Sequence, residues 1–206
     1  MTAALEQLAQ AARACTLCQA SPMAGKQPLP HEPRPVFQVS SSARILVAGQ
    51  APGTRVQASG KPFTDASGDR LREWMGLDAD IFYDETKLAI LPMGFCFPGL
   101  DSKGGDLPPR LECALKWRQQ FMAAMPQVSL VLAIGMYAQK WHLANRQKKT
   151  LTETVRNWRE YHALRPVSVI AMPHPSWRNT SWLKKNSWFE EELLPVLKSD
   201  IKVLVS

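Results

Sequence analysis

All four cysteines of this 206-residue chain could bind a metal, because they occur in two groups. Cys15 and Cys18 are separated by two residues, a spacing that lets both sulfurs face one centre. Cys96 and Cys113 lie further along, around a Gly/Pro-rich stretch. Four thiolates without a histidine suit either tetrahedral zinc or a [4Fe–4S] cluster. The spacing leaves both metals open, and four unrelated buried thiols are a third alternative.

Two short loops carry further residues that could do chemistry. Residues 49–53 are Gly-Gln-Ala-Pro-Gly, and residues 173–176 are Pro-His-Pro-Ser. His174 could donate a hydrogen bond to a developing negative charge, although a lone histidine often has only a structural role. The side chain of Gln50 could orient a water molecule, but it has no ionised form that would act as a base.

Each of these loops follows an apolar run that predicts a β-strand. The runs are rich in Val, Ile and Leu without strict alternation, which is typical of strands buried on both faces. We predict four strands: Arg44–Ala48, Leu88–Leu91, Val128–Ile134 and Val167–Met172. If they are parallel, the two loops lie at the same edge of the sheet and converge on one ligand.

Helical patterns lie between the predicted strands, and Ser67 is the expected cap of one of them. We predict helices at Ala3–Ala14, Ser67–Leu77, Arg110–Met125 and Met136–Ala144. This alternation predicts an α/β fold, a three-layer α/β/α sandwich with a four-stranded, mainly parallel sheet. The proline-rich segment Ser21–Ser41 is expected to be an extended wrap rather than a linker, so residues 1–206 are predicted to form a single domain.

The positive charge of the chain is concentrated in its last third. The formal net charge is +7, and residues 140–190 alone hold ten Lys and Arg against three Glu, which equals the excess of the whole chain. A local basic excess predicts a polyanionic partner, with DNA or RNA first, and Arg178, Lys184 and Lys185 are candidate contacts. The alternative is a solvated surface that keeps the protein in solution.

Membrane insertion and secretion are not expected from this sequence. The longest apolar runs are too short to cross a bilayer, and residues 1–14 contain Glu6 and lack the pattern of a signal peptide. We therefore expect a cytoplasmic protein, monomeric and without a membrane partner. In that compartment thiols stay reduced, so grouped cysteines bind metal more often than they form disulfides.

Four motifs in a fixed order carry a resemblance to a known family. They are residues 49–53, Gly-Lys-Pro-Phe at 60–63, Ser-Gly-Asp-Arg-Leu at 67–71 and His-Pro-Ser at 174–176. Each is weak alone, but the ordered set with the four cysteines resembles the iron–sulfur (family 4-like) branch of the uracil-DNA glycosylase superfamily. The resemblance runs from about Cys15 to Ser176. It implies a four-stranded parallel sheet, a [4Fe–4S] cluster on the cysteines and excision of a base from DNA.

The resemblance also implies roles for single residues. Phe63 would stack on a base that has left the duplex, His174 would bond its O2, and the backbone around Gly49 and Ala51 would border the site. Trp177 and Arg178 follow directly and could fill the gap that the base leaves in the duplex. Without the resemblance, Phe63 is an ordinary core aromatic, and Trp177 packs on the C-terminal helix beside a surface arginine.

The sequence departs from the family pattern at two places. Gln50 stands where iron–sulfur members usually have a carboxylate, and Ala51 stands where another branch has its catalytic Asp. Asp65 is the nearest replacement, and it could equally cap the following helix. Pro92 occupies the position of an Asn that reads the amide edge of uracil, so the identity of the base is left open.

Three functions are consistent with these residues. The first is a DNA glycosylase for a deaminated or damaged base, uracil before others. The second is a catalytically weak or inactive protein of the same fold that binds a DNA lesion or end. The third is a protein with purely structural zinc and an unrelated small-molecule site. Release of free base separates the first from the others, and salt-sensitive DNA binding separates the second from the third.

Overall fold

The structure, a computed structural model, describes residues 2–206 and has a parallel sheet at its centre. Within those residues the strands are β1 (Ile45–Ala48), β2 (Leu88–Ile90), β3 (Leu130–Ile134) and β4 (Ser168–Met172). All pairings are parallel, in the order β2-β1-β3-β4. The four strands lie inside the predicted runs, each beginning or ending one or two residues short. The prediction of a four-stranded parallel α/β fold is confirmed.

The helices fall between the strands and on both sides of them. They are α1 (Ala3–Arg13), α2 (Leu17–Ala20), α3 (Thr54–Ser59), α4 (Ala66–Met75), α5 (Ala79–Phe82), α6 (Leu111–Cys113), α7 (Gln119–Ala124), α8 (Gly135–Leu143), α9 (Leu151–Arg156), α10 (Trp158–His162), α11 (Thr180–Lys185) and α12 (Leu194–Val205). A π-helical turn at Ala114–Arg118 joins α6 to α7, and another at Phe189–Leu193 leads into α12. Short 3-10 turns lie at Ala144–Arg146 and Trp177–Asn179. No helix in residues 2–206 is both long enough and apolar enough to span a bilayer.

Alternate strand residues build two separate cores, one on each face of the sheet. Leu46 and Val131 belong to the core that contains α1 and Phe121 of α7. Ile45 and Leu132 belong to the core that contains Trp74 of α4 and residues of α12. Because both faces are covered, the strands consist of apolar residues without a polar face, as the sequence indicated. The result is three layers.

An extended segment closes the free edge of β2. Gln38 forms an antiparallel bridge with Ile90, and its side-chain amide donates to the carbonyl of Leu88 at 2.7 Å. Val36, two residues earlier, donates to the carbonyl of Phe95. The proline-rich stretch thus leads along the sheet and stays in contact with the loop after β2.

The start of α4 differs from its prediction. Ser67 was the expected cap, but the helix begins at Ala66, and Asp65 is the N-cap residue. The carboxylate of Asp65 accepts a hydrogen bond from the backbone N–H of Gly68 at 3.2 Å. Asp and Ser are both good caps, so composition alone does not choose between them.

Candidate functional site

The loops that follow β1 and β4 meet at one cavity, as the parallel sheet predicted. The cavity encloses about 570 Å³ of space, part of which is open to solvent. Six residues of its wall were singled out from the sequence: Gly49, Gln50, Ala51, Phe63, Asp65 and His174. The others are Val36, Pro52, Gly53, Val56, Pro62, Ser67, Ile90, Pro92 and Asp106.

Phe63 has a backbone conformation that few non-glycine residues adopt. Its φ is 53°, in the left-handed region, and its carbonyl oxygen accepts hydrogen bonds from the Tyr83 hydroxyl at 3.0 Å and from Arg72 at 3.4 Å. A Cβ built on Gly49 would lie 3.7 Å from Cζ of Phe63, so the ring rests against the backbone of the first loop. Residues held in this way against backbone strain are concentrated at functional sites.

His174 lies at the cavity wall. One part of the residue is exposed to solvent, and protein atoms surround the rest. Burial lowers the pKa of its imidazole below 6.5, while the carboxylates of Asp65 and Asp106 act in the opposite direction. The imidazole is therefore neutral near pH 7 and has one N–H to donate. Its loop is tied to α4, because Arg70 donates to the carbonyl of Ser176 at 3.0 Å.

Asp65 both caps α4 and lines the cavity. One of its oxygens, Oδ1, accepts from Gly68, and elsewhere in residues 2–206 neither oxygen has another hydrogen-bond partner. The sequence left the roles of helix cap and catalytic carboxylate open for this residue. The cap is present in the structure, and the second oxygen is uncommitted.

Asp106 is a cavity residue that the sequence did not single out. It lies in the Gly/Pro-rich loop after β2, and burial raises the pKa of its carboxyl above 3.8. Gln50 of the first loop donates to the carbonyl of Leu107 in a long hydrogen bond of 3.4 Å. The only sequence signal was that this loop, like the two recognised loops, follows the carboxyl end of a parallel strand.

The wall at the end of β2 is apolar. Pro92 lies there, at the position where the resemblance to the iron–sulfur branch implies an Asn, together with Ile90 of β2. The carbonyls of Leu91 and Pro92 accept hydrogen bonds from the fully buried Arg118 at 2.9 and 3.2 Å. This part of the wall has no side-chain amide with which to read a base edge.

A turn of exposed aromatic and basic residues borders the cavity beyond His174. Trp177 is 73% exposed, which rules out packing on the C-terminal helix, and the Arg178 guanidinium lies 5.9 Å from its ring. Lys184 and Lys185 are exposed at the end of α11, which follows the turn. Of these four residues, Arg178 is near enough to the cavity for its charge to oppose the raised pKa of Asp106.

The four cysteines come together from distant parts of the chain. Cys15, Cys18, Cys96 and Cys113 all line one small pocket of about 250 Å³, together with Phe95 and Trp117 among others, and all four thiols are free. Burial raises the pKa of Cys18 to about 11 and that of Cys96 to about 12. Nevertheless, residues 2–206 contain no group of three or more His, Cys, Asp or Glu side chains arranged to hold a single metal ion.

Two of the sulfurs also accept hydrogen bonds from the protein. The indole N–H of Trp117 donates to Cys15 Sγ at 3.3 Å, and the backbone N–H of Phe95 donates to Cys113 Sγ at 3.4 Å. Because all four thiols line one pocket, their positions in the structure are not unrelated.

A comparison with protein families agrees with this geometry. The model of the uracil DNA glycosylase superfamily matches residues 36–198, most of the chain. The chain belongs to this superfamily. The match includes both motif loops, Cys96 and Cys113, but begins after Cys15 and Cys18, so it does not identify the iron–sulfur branch of the superfamily.

One solved structure with a similar fold is the solution NMR structure of a candidate uracil DNA glycosylase from Methanosarcina acetivorans. The two chains are 11% identical with a TM-score of 0.49, and the similarity covers 80% of this chain and 96% of that one. The superfamily assignment depends on the family match and not on this neighbour.

Proposed function

We propose that this member of the uracil DNA glycosylase superfamily is a DNA base-excision repair enzyme that hydrolyses the N-glycosidic bond of a deaminated or damaged base. The observation that carries the proposal is the convergence of Phe63 and His174 on one cavity, with the exposed Trp177 and the adjacent Arg178 a few residues after His174. The location in the cytoplasm and the monomeric state stay predictions.

The residues of the cavity match what base excision requires. A base can reach the cavity only after it has left the duplex stack, at a cost of roughly a few kcal/mol. Stacking on Phe63 would recover part of that cost, and Trp177 would fill the vacated space in the duplex. Cleavage of the C–N bond then leaves negative charge on the base, which a fixed donor stabilises more in the transition state than in the ground state.

His174 supplies that donor in its neutral form. Because burial lowers its pKa, the imidazole needs no proton from solvent at pH 7 to serve as an N–H donor. Because the neutral imidazole carries no charge, it does not attract the phosphate groups of the DNA backbone to the cavity. Gln50 and the backbone around Ala51 would border the sugar, and Gly49 would lie under the base.

We propose the chemical class of the excised base and not a single base. Uracil comes first because the chain belongs to the uracil DNA glycosylase superfamily. However, Ile90 and Pro92 offer no hydrogen bond to the amide edge of uracil, and an unpaired buried polar edge costs free energy. We therefore include other deaminated or damaged bases.

We further propose that the four cysteines hold one [4Fe–4S] cluster with a structural role. The donor set fits, because four thiols and no carboxylate or imidazole line the pocket. A single tetrahedral zinc needs its sulfurs within about 4 Å of one another, since each lies about 2.3 Å from the metal. A cluster of several irons holds its ligands further apart than a single zinc does. Zinc is the alternative.

A second candidate function is lesion binding without cleavage. It is favoured by Gln50, whose amide is engaged with Leu107 and which cannot ionise. The decisive experiment is release of free base from duplex and single-stranded oligonucleotides, each carrying one deaminated or damaged base. Release from at least one of them supports the glycosylase. Tight, salt-sensitive binding without any release supports the lesion-binding protein, and neither binding nor release supports an unrelated small-molecule site.

A further inference from the structure

The Asp106 carboxylate lines the same cavity as Gln50, which stands where the iron–sulfur resemblance implies a carboxylate. A Cβ built on Gly53, the last residue of the first motif loop, would lie 3.6 Å from Oδ2 of Asp106. The carboxylate thus rests against that loop from outside, on the same cavity wall as His174. Through this tertiary contact, the Asp106 carboxylate lies in the region where a carboxylate at position 50 would lie.

The loop that carries Asp106 is held in a defined shape. Oδ1 of Asp101 accepts hydrogen bonds from the backbone N–H groups of Lys103 and Gly105, both at 2.8 Å. The backbone N–H of Leu107 donates to the carbonyl of Gly99 at 2.9 Å, which closes the base of the loop. Asp106 therefore lies between two fixed points, and its place at the cavity does not depend on its own side chain.

Gln50 connects this loop to the first motif loop. Its side-chain amide donates to the carbonyl of Leu107, the residue directly after Asp106. A carboxylate at position 50 could not donate this hydrogen bond, and it would repel Asp106 across the cavity. An amide at position 50 is thus physically compatible with Asp106 in a way that a second carboxylate there would not be.

Asp106 is also the freer of the two cavity carboxylates. Asp65 gives one oxygen to the N-terminus of α4, whereas in residues 2–206 the Asp106 side chain has neither a hydrogen-bond partner nor an ion pair. A carboxylate without partners at a cavity wall is available to a water molecule or to a ligand.

We propose that Asp106 is the catalytic carboxylate of this protein and that Gln50 is a positioning residue that holds its loop. The inference rests on the proposed glycosylase function. According to this proposal, the catalytic carboxylate belongs to the loop after β2 and not to the first motif loop. Asp65 then has only the role of a helix cap.

In the proposed step, ionised Asp106 accepts a proton from water while the water oxygen bonds to C1′ of the deoxyribose. The bond from C1′ to the base nitrogen breaks, and its electron pair leaves with the base, whose carbonyl receives a hydrogen bond from His174. The base anion then takes a proton from solvent, and Asp106 returns its proton to solvent. One water is consumed for each base released.

The step predicts an acid limb in the pH profile. Asp106 acts when ionised, so excision is present above its pKa and is lost as the pH falls through it. Burial raises this pKa above 3.8, and Asp65 and Asp101 add to that direction, while His174 and Arg178 oppose it. His174 also titrates below pH 6.5, because burial lowers its pKa, but it keeps an N–H donor in both protonation states.

The test is single-turnover excision of the base that the wild-type protein releases best, measured from about pH 4 to pH 8. Asp106→Asn should lower the rate by about 10²- to 10⁴-fold with unchanged DNA affinity, and the acid limb due to Asp106 should disappear. Asp106→Glu keeps an ionised group and should keep the limb. Asp80→Asn, which changes an exposed carboxylate on α5, is the matched control and should leave excision unchanged.

The outcomes separate the two proposals. An Asp106→Asn protein that is folded and excises at the wild-type rate with the same pH profile overturns the role of Asp106 but leaves the glycosylase intact. A large loss in Asp65→Asn, with Asp106→Asn active, assigns the carboxylate to Asp65 instead. A wild-type protein that releases no base overturns both the glycosylase and this inference.

Gln50→Ala provides an independent readout of positioning. If Gln50 acts only through the loop, this substitution lowers the rate in the wild-type background and has no further effect in Asp106→Asn. If Gln50 instead orients water directly, the two losses add. Additive losses would overturn the positioning role of Gln50.

Discussion

The carbonyl oxygen of Phe63 lies so close to the backbone of Gly68 that a Cβ built on Gly68 would come within 1.8 Å of it. The same oxygen accepts hydrogen bonds from Tyr83 and Arg72. The turn between the Phe63 ring and the start of α4 therefore depends on a glycine at position 68 and on a left-handed residue at position 63. Both conditions serve to hold one aromatic ring at the cavity.

Gly68→Ala should therefore displace Phe63 and destabilise the protein. The new methyl group meets backbone rather than a flexible side chain, so we expect a loss of about 1–3 kcal/mol or more, measured by the urea midpoint of unfolding. Glu73→Ala, on the exposed face of the same helix, is the control and should change stability by less than about 0.5 kcal/mol. Equal stability of the two variants would show that the turn adapts.

The cysteine pocket predicts an iron content. Protein purified without oxygen should be brown and contain about four irons per chain, quantified together with zinc by elemental analysis. Replacing Cys113 by Ser should lower the iron content and stability, because this sulfur connects α6 to the loop after β2 through Phe95. One zinc per chain and no iron, in the same preparation, would contradict the cluster.

Much of the fold could be predicted because the signals are local. Buried runs of Val, Ile and Leu identified β1 to β4, and parallel order then brought residues 49–53 and 173–176 to one edge. The cap of α4 was wrong because Asp65 and Ser67 are both suitable, and the choice depends on the turn at Phe63.

Asp106 could not be predicted because its importance is a tertiary property. Nothing in its sequence neighbours marks it, and the loop contacts the cavity region at Gln50 and Gly53, more than 50 residues earlier in the chain. The exposure of Trp177 was likewise undecided by the sequence, since an aromatic residue after a strand fits a core as well as a surface.

The basic turn and α11 predict a salt-dependent interaction with DNA. Each phosphate that is neutralised releases counterions, so removing one contact should make the plot of log affinity against log salt shallower by about 1. We expect this for Arg178→Ala, and a change of up to about 2 for Lys184→Ala combined with Lys185→Ala, measured by fluorescence anisotropy. Lys202→Ala on α12 is the control with an unchanged slope. Unchanged slopes in every variant would place the DNA on another surface.

His142 predicts a loss of stability in mild acid. Its Nε2 lies 2.6 Å from the guanidinium of the buried Arg118, and burial and this charge hold the pKa of His142 well below 6.5. The unfolded chain therefore binds a proton that the folded chain does not, so stability is full above about pH 6.5 and falls below it, by at most about 1.4 kcal/mol per pH unit for this group.

His142→Gln should flatten this pH dependence, because glutamine accepts the same hydrogen bond without titrating. The free energy of unfolding in urea, measured between about pH 5 and pH 8, tests it. His31→Gln is the control, because His31 lies away from Arg118 and contacts only loop residues. An equally steep loss of stability in His142→Gln would assign the titration to other groups, of which His174 is the first.

His174 gives the sharpest test of the site chemistry. It is the neutral donor at the cavity wall, so its loss should raise the barrier only where negative charge develops on the leaving base. His174→Ala should lower single-turnover excision by about 10²- to 10³-fold and leave DNA affinity nearly unchanged, because the basic contacts remain. A base whose anion is more stable should lose less, since it needs the donor less. His174→Gln, which retains an N–H donor, should recover part of the rate. Full excision by His174→Ala would mean that the leaving base is stabilised by backbone groups of the two motif loops.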